Sequence, residues 1–76
     1  MVNAYILIQT EIGASSAVTR EIVNIPGVLT ADDVLGPYDV IAHLHANTFD
    51  HLSKEVIPRI QNLNRITRTL TCAVID

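Results

Sequence analysis

The chain has 76 residues, 49% of them hydrophobic and only 17% charged, with five basic against eight acidic side chains and a net charge of −3. That length makes one domain, residues 1–76, and the sparse basic content excludes the clustered Lys and Arg that phosphate contacts with nucleic acid require. The longest strictly apolar runs, Ala4–Ile8 and Cys72–Ile75, fall far short of the roughly 20 residues of a spanning helix, which excludes a membrane segment.

Val2–Thr10 is rich in Tyr, Ile and Leu, carries no Gly or Pro, and predicts a first strand apolar on both faces. Glu11-Ile12-Gly13 breaks it. Ser15 and Ser16 are candidate N-caps for a helix, because a hydroxyl can accept an orphan amide of the first turn. Ala14, Val18, Ile22 and Ile25 then recur at helical spacing as one buried stripe. Pro26-Gly27 ends that helix, since Pro disfavours αR in the residue before it and Gly suits a C-terminal turn.

Val28–Leu35 predicts the second strand, and adjacent Asp32 and Asp33 place a carboxylate on each face, as an edge strand tolerates. Gly36-Pro37-Tyr38-Asp39 is the turn at the chain's midpoint. Asp39–Ala46 gives a third strand ending in His43-Leu44-His45. Asn47 or Thr48 caps a second helix, with Asp50 favoured in its first turn by the macrodipole. The apolar stripe of that helix is Phe49, Leu52, Val56, Ile60 and Leu63, and Pro58 should kink or split it by removing an amide and clashing one turn back. Asn62–Arg65 is the exit turn, and Ile66–Ile75 is the last strand, with Thr67, Thr69 and Thr71 on one face.

The order β-α-β-β-α-β is the split βαβ, ferredoxin-like arrangement of the α+β class. Right-handed crossovers put both helices on one face of a four-stranded antiparallel sheet. Ala4, Ile6 and Ile8 then oppose Tyr5 and Leu7, and both sets are apolar. A domain near this size buries only about 60% of the surface its unfolded chain exposes, so a second copy covering the open sheet face is the expected outlet, a dimer formed through the sheet.

Little here supports catalysis, and the expectation is no enzyme and no cofactor. No Gly-rich phosphate loop, nucleophile elbow or CxxC occurs. His43 and His45 share a strand face and His51 follows, but a zinc site wants three or four ligands. No metal site is expected. Cys72 reads as a buried small hydrophobe. The start MVNAYILIQ lacks the basic segment and cleavage site of a signal peptide, so a cytoplasmic location is the default.

The midpoint turn is different because its parts cooperate. Gly36 leaves the backbone open to a ligand and Pro37 presets φ at the turn's second position. Tyr38 offers a ring wall, and Asp39 an anion for an ammonium group. A plain hairpin turn would use the same four residues, and the threonine ladder would serve β propensity as well as a ligand.

Three segments carry a resemblance. Val34-Leu35-Gly36-Pro37-Tyr38-Asp39-Val40 is similar to the Gly-x-Tyr-Asp turn of the effector-binding domain of the Lrp/AsnC (feast/famine) regulators. Ile66-Thr67-Arg68-Thr69-Leu70-Thr71 resembles the Thr-x-Thr pattern of that domain's last strand, and Ile25-Pro26-Gly27-Val28 resembles its helix-to-strand turn. The motifs fall in the right order between Val2 and Ile75. The chain departs from the family pattern in having Asn64-Arg65 where Pro-Gly is usual. It also begins directly at the first strand, where family regulators carry a helix-turn-helix, and so reads as the stand-alone form of the domain, with no direct DNA binding.

The resemblance implies a homodimer assembling into a ring, an octamer or decamer, that binds an amino acid or related small metabolite in clefts between dimers. The ligand-binding residues it implies are Gly36, Pro37, Tyr38, Asp39, Thr69 and Thr71, with backbone amides on the ligand carboxylate and Asp39 on its ammonium group. On that reading Asp39→Asn weakens binding. A full-length Lrp/AsnC regulator is a further candidate partner. Two other functions compete: a small ferredoxin-like dimeric oxygenase or isomerase using His43 or His45 as base, and a ligand-free structural oligomer.

Overall fold

The structure, a computed structural model, describes residues 1–75. Strand β1 (Val2–Thr10) leads into α1 (Ser15–Ile22), β2 (Val28–Asp33) and β3 (Val40–Ala46). The second helical stretch runs from α2 (Phe49–His51) through a π-helical segment, Leu52–Val56, into α3 (Ile57–Gln61), and β4 (Ile66–Ala73) closes the fold. The strands form one four-stranded sheet in the order β2-β3-β1-β4, with every neighbouring pair antiparallel. This is the expected ferredoxin-like α+β arrangement. Each crossover joins two strands that flank a third, which puts α1 and the α2–α3 stretch over one sheet face.

Strand alternation decides the core. Ala4, Ile6 and Ile8 of β1 and Val40, Ala42, Leu44 and Ala46 of β3 turn to the helices and are buried. Val18 and Ile22 from α1, with Leu52, Val56 and Ile60 from the second helical stretch, cover them. No helix covers the other face among the described residues. Tyr5 pairs with His43 on one side and Cys72 on the other, and Leu7 pairs with Ile41 and Leu70. Tyr5 is 43% and Leu70 46% exposed.

Several local expectations are corrected. Neither Ser15 nor Ser16 caps α1; Ala14 is the cap, its carbonyl accepting from Val18, and no side-chain cap bond forms. Burial of Ala14 with Val18 and Ile22 at four-residue spacing fixes where the helix begins, and Ser15 falls one residue inside. The helix also ends at Ile22, so Ile25 packs half-buried beyond it. β2 stops at Asp33 and β3 starts at Val40, because the Val34 amide bonds to the Asp39 carbonyl and closes the hairpin there. β4 likewise stops at Ala73, before Val74 and Ile75.

In the second helix Thr48 is the cap, its Oγ1 accepting from the His51 amide at 3.0 Å. Phe49 is 56% exposed, outside the expected buried stripe, since it stands at the helix start beyond the sheet's cover. Pro58 is absorbed by the π-helical segment. The Ile57 amide reaches back to Leu52, and Pro58 enters at the first turn of α3, where its missing N–H costs no ladder bond. Cys72 is exposed, contrary to expectation, because the register puts it on the open face of edge strand β4.

Candidate functional site

The β2–β3 connection is pinned at its base and open at its tip. The Val34 amide donates to the Asp39 carbonyl, and the Asp39 amide donates to the Ile8 carbonyl, each at 2.9 Å. Between these bonds, the amides of Leu35, Gly36 and Tyr38 donate to no acceptor among the described residues. Pro37 has none to offer. Leu35 is 93% exposed at the tip, and a Cβ on Gly36 would meet no atom within 4 Å. The loop thus presents unused donors to solvent from a fixed base.

Beneath it lies an apolar depression of about 160 Å³ on the open sheet face, lined by Leu7, Ile41 and residues 34–38. Gly36, Pro37 and Tyr38 therefore come together as a wall, with Tyr38 half-buried. Asp39 turns away from the tip toward β1. Its Oδ2 accepts from the Thr10 amide at 2.8 Å and lies 3.4 Å from Thr10 Oγ1.

Thr69 and Thr71 are elsewhere. They pair with Ile8 and Ile6, which face the helices, so they occupy the helix side of β4. Thr69 Oγ1 accepts from Gln61 Nε2 at 3.1 Å, and Thr69 joins Gln61, Ile66, Thr67 and Arg68 around a second open depression of about 240 Å³. Within one chain the loop depression and the threonines are on opposite sheet faces. Sequence reasoning missed Thr10, Leu7, Ile41 and Gln61 as neighbours of these sites. Alternation along β1 already marks Leu7 as open-faced, whereas no pattern marks Thr10.

The histidines do not converge. His43 stacks on Tyr5 with ring centroids 4.6 Å apart, and its Nε2 lies 3.2 Å from Asn3 Oδ1. His45 Nδ1 lies 3.1 Å from Met1 Sδ, while His51 lines a groove with Pro26, Glu55, Val56 and Arg59. Among the described residues no three His, Cys, Asp or Glu side chains group as metal ligands would. No helix among the described residues is long and apolar enough to cross a membrane.

A family model described as the Lrp/AsnC ligand binding domain matches residues 3–76. Curated proteins gave no match. Among solved structures, TTHA0845 from Thermus thermophilus is 28% identical, with a TM-score of 0.92 over 100% of this chain and 95% of that one. The hypothetical protein PHS023 from Pyrococcus horikoshii is 30% identical, with a TM-score of 0.91 over 100% of this chain and 92% of that one. The transcriptional regulator NMB0573 from Neisseria meningitidis, solved as an L-Met complex, shares the fold at 13% identity and a TM-score of 0.81. This chain matches over 99% of its length and spans 50% of that regulator.

Proposed function

The chain belongs to the Lrp/AsnC ligand-binding domain family, and from that premise we propose that it is a non-catalytic module that binds an amino acid or a related small metabolite. The observation that carries this is the loop itself. Amides at Leu35, Gly36 and Tyr38 have no acceptor among the described residues, yet the loop's base is held by bonds of 2.9 Å. Such a concavity of backbone donors suits a carboxylate. The L-Met complex of NMB0573 supports an amino acid as the ligand class.

The site is completed between chains. A ligand that meets both the Gly36–Tyr38 wall and the hydroxyls of Thr69 and Thr71 needs more than one chain, because these groups occupy opposite sheet faces in one copy. The open face, with Tyr5, Leu7, Ile41 and Leu70 across three strands, fits a second copy stacked sheet to sheet. Dimers of this kind then associate into a ring of eight or ten chains. A full-length regulator of the family would engage the same faces.

A thermal-shift screen against the twenty standard amino acids tests the reading. A ligand at 100 times its dissociation constant stabilises the folded state by about 2.7 kcal/mol, several degrees for a domain this small. Stabilisation by one or a few amino acids is expected. A panel in which none shifts the transition would overturn the proposal.

A further inference from the structure

Backbone groups in a central antiparallel strand face its two neighbours alternately. In β1 the Asn3 carbonyl accepts from Val74 and the Glu11 amide donates to Arg65, both on the β4 side, while the Ile8 carbonyl accepts from Asp39 on the β3 side. Thr10 therefore directs its N–H toward β3. Yet the last β1–β3 pair is Ile8 with Val40, and beyond Val40 the partner strand has already turned into the loop. Thr10 is only 9% exposed, and a buried amide left without an acceptor is costly.

Asp39 fills that gap. Its Oδ2, 2.8 Å from the Thr10 nitrogen, takes the place of the missing β3 carbonyl. The bonds that fix the loop's base, Val34 to Asp39, Asp39 to Ile8 and Thr10 to Asp39, all run through this one residue. The geometry points to Asp39 as a positioning residue: it sets the Leu35, Gly36 and Tyr38 amides for the ligand by clasping Thr10, and its charge is not what the ligand meets. This rests on the loop being the ligand site, as proposed above.

The clasp also reaches β4. Thr10 pairs with Ile66 at the point where the β1–β4 register shifts, and the neighbouring Gln9 carbonyl accepts from Thr67 Oγ1 at 3.1 Å. The end of β1 thus ties the loop to the strand that carries Thr69 and Thr71. Loss of the clasp loosens both halves of the site together.

Two variants separate positioning from direct charge contact. Asp39→Asn keeps a side-chain acceptor of the same shape and removes the charge, while Asp39→Ala removes the acceptor. Hydrogen exchange at the Thr10 and Val34 amides of the ligand-free protein reads the clasp, and titrations with the twenty standard amino acids read binding. In Asp39→Ala, exchange at both amides should quicken about tenfold or more and affinity should fall about tenfold, as expected for losing a hydrogen bond to a charged group. Asp39→Asn should rescue most of both. If Asp39→Asn loses affinity as heavily as Asp39→Ala while Thr10 stays protected, the charge meets the ligand and the positioning role is wrong. Parental exchange rates in Asp39→Ala would show that no clasp exists. If no amino acid binds the parent, the ligand reading fails by itself and the exchange comparison still decides the clasp.

Discussion

Gly27→Ala is the most telling perturbation of the fold, because two independent penalties meet at one backbone position. Gly27 has φ +101, a conformation that side chains disfavour, and a Cβ there would lie 2.8 Å from Val56 Cγ2 and 3.2 Å from both Val56 Cγ1 and the His45 carbonyl oxygen. The contact is fixed from both sides. The Gly27 carbonyl accepts from the His45 amide at 2.8 Å, and Val56 ends the π-helical segment with only 1% exposure. A left-handed backbone costs a non-glycine residue roughly 1–2 kcal/mol, and overpacking typically adds about 1–3 kcal/mol. Ala recovers about 0.4–1 kcal/mol by stiffening the unfolded chain. A net loss of roughly 1–5 kcal/mol is expected from these terms, set against the ~5–15 kcal/mol that a domain has. Urea denaturation at fixed protomer concentration measures it, with concentration held because association shifts apparent stability. Val56→Ala is the control: in that background the contacts with Val56 disappear and Gly27→Ala should cost only the backbone part and the remaining 3.2 Å approach to the His45 carbonyl oxygen, giving a coupling of about 1 kcal/mol or more. A loss under about 0.5 kcal/mol in the parent background would refute the close approach of the π-helical segment to Gly27.

Two further outcomes are accessible with the same preparations. Thr48→Ala removes the oxygen that accepts from the His51 amide at 3.0 Å, and should cost about 1 kcal/mol, as capping hydroxyls do; a change near zero in urea denaturation would mean the cap carries no stability. Leu70→Asp puts a charge on the open sheet face at a residue already 46% exposed, so the isolated domain should tolerate it. An assembly through that face should not, and light scattering at micromolar concentration should show the mass falling toward 8.3 kDa; an unchanged oligomer, or a parent already of that mass, would contradict sheet-to-sheet association.

The fold was legible because period and punctuation agree along most of the chain. Alternation separated Ala4, Ile6 and Ile8 from Tyr5 and Leu7, and the four-residue spacing of Leu52, Val56 and Ile60 marked the covering helix. Asp32 and Asp33 announced an edge, and β2 is one: Asp33 pairs with Val40 on the helix face and accepts from Thr19 of α1, while Asp32 pairs with Ile41 on the open face. What stayed hidden depends on three-dimensional fit. Pro58 signals a disturbed helix, but only the bond from the Ile57 amide back to Leu52 shows the disturbance as a π-helical segment before the proline. Cys72 sits in an apolar pattern, and the pattern cannot say that its strand lies at the edge with its face uncovered.

The candidate site shows the same divide at the level of single atoms. The types in Gly36-Pro37-Tyr38-Asp39 already suggest an open backbone, and the structure gives that suggestion its content in amides without acceptors above a depression walled by Leu7 and Ile41. For Asp39 the residue type points to one partner and the fold supplies another. A carboxylate beside donor-rich backbone invites pairing with an ammonium group, yet its Oδ2 is taken by Thr10 at 2.8 Å. That partner follows from ladder parity: Thr10 lies two residues past Ile8, faces the same neighbour, and outlasts the strand it should pair with. Parity cannot be counted before the register is known, and register is a long-range property, linking residues 29 apart in the chain for this one bond. A ligand whose ammonium group needs an anion must then find it on another chain or in the other Asp39 oxygen. The Asp39→Asn comparison asks which of these holds, because a clasp leaves that variant close to the parent, whereas a charge contact leaves it as weak as Asp39→Ala.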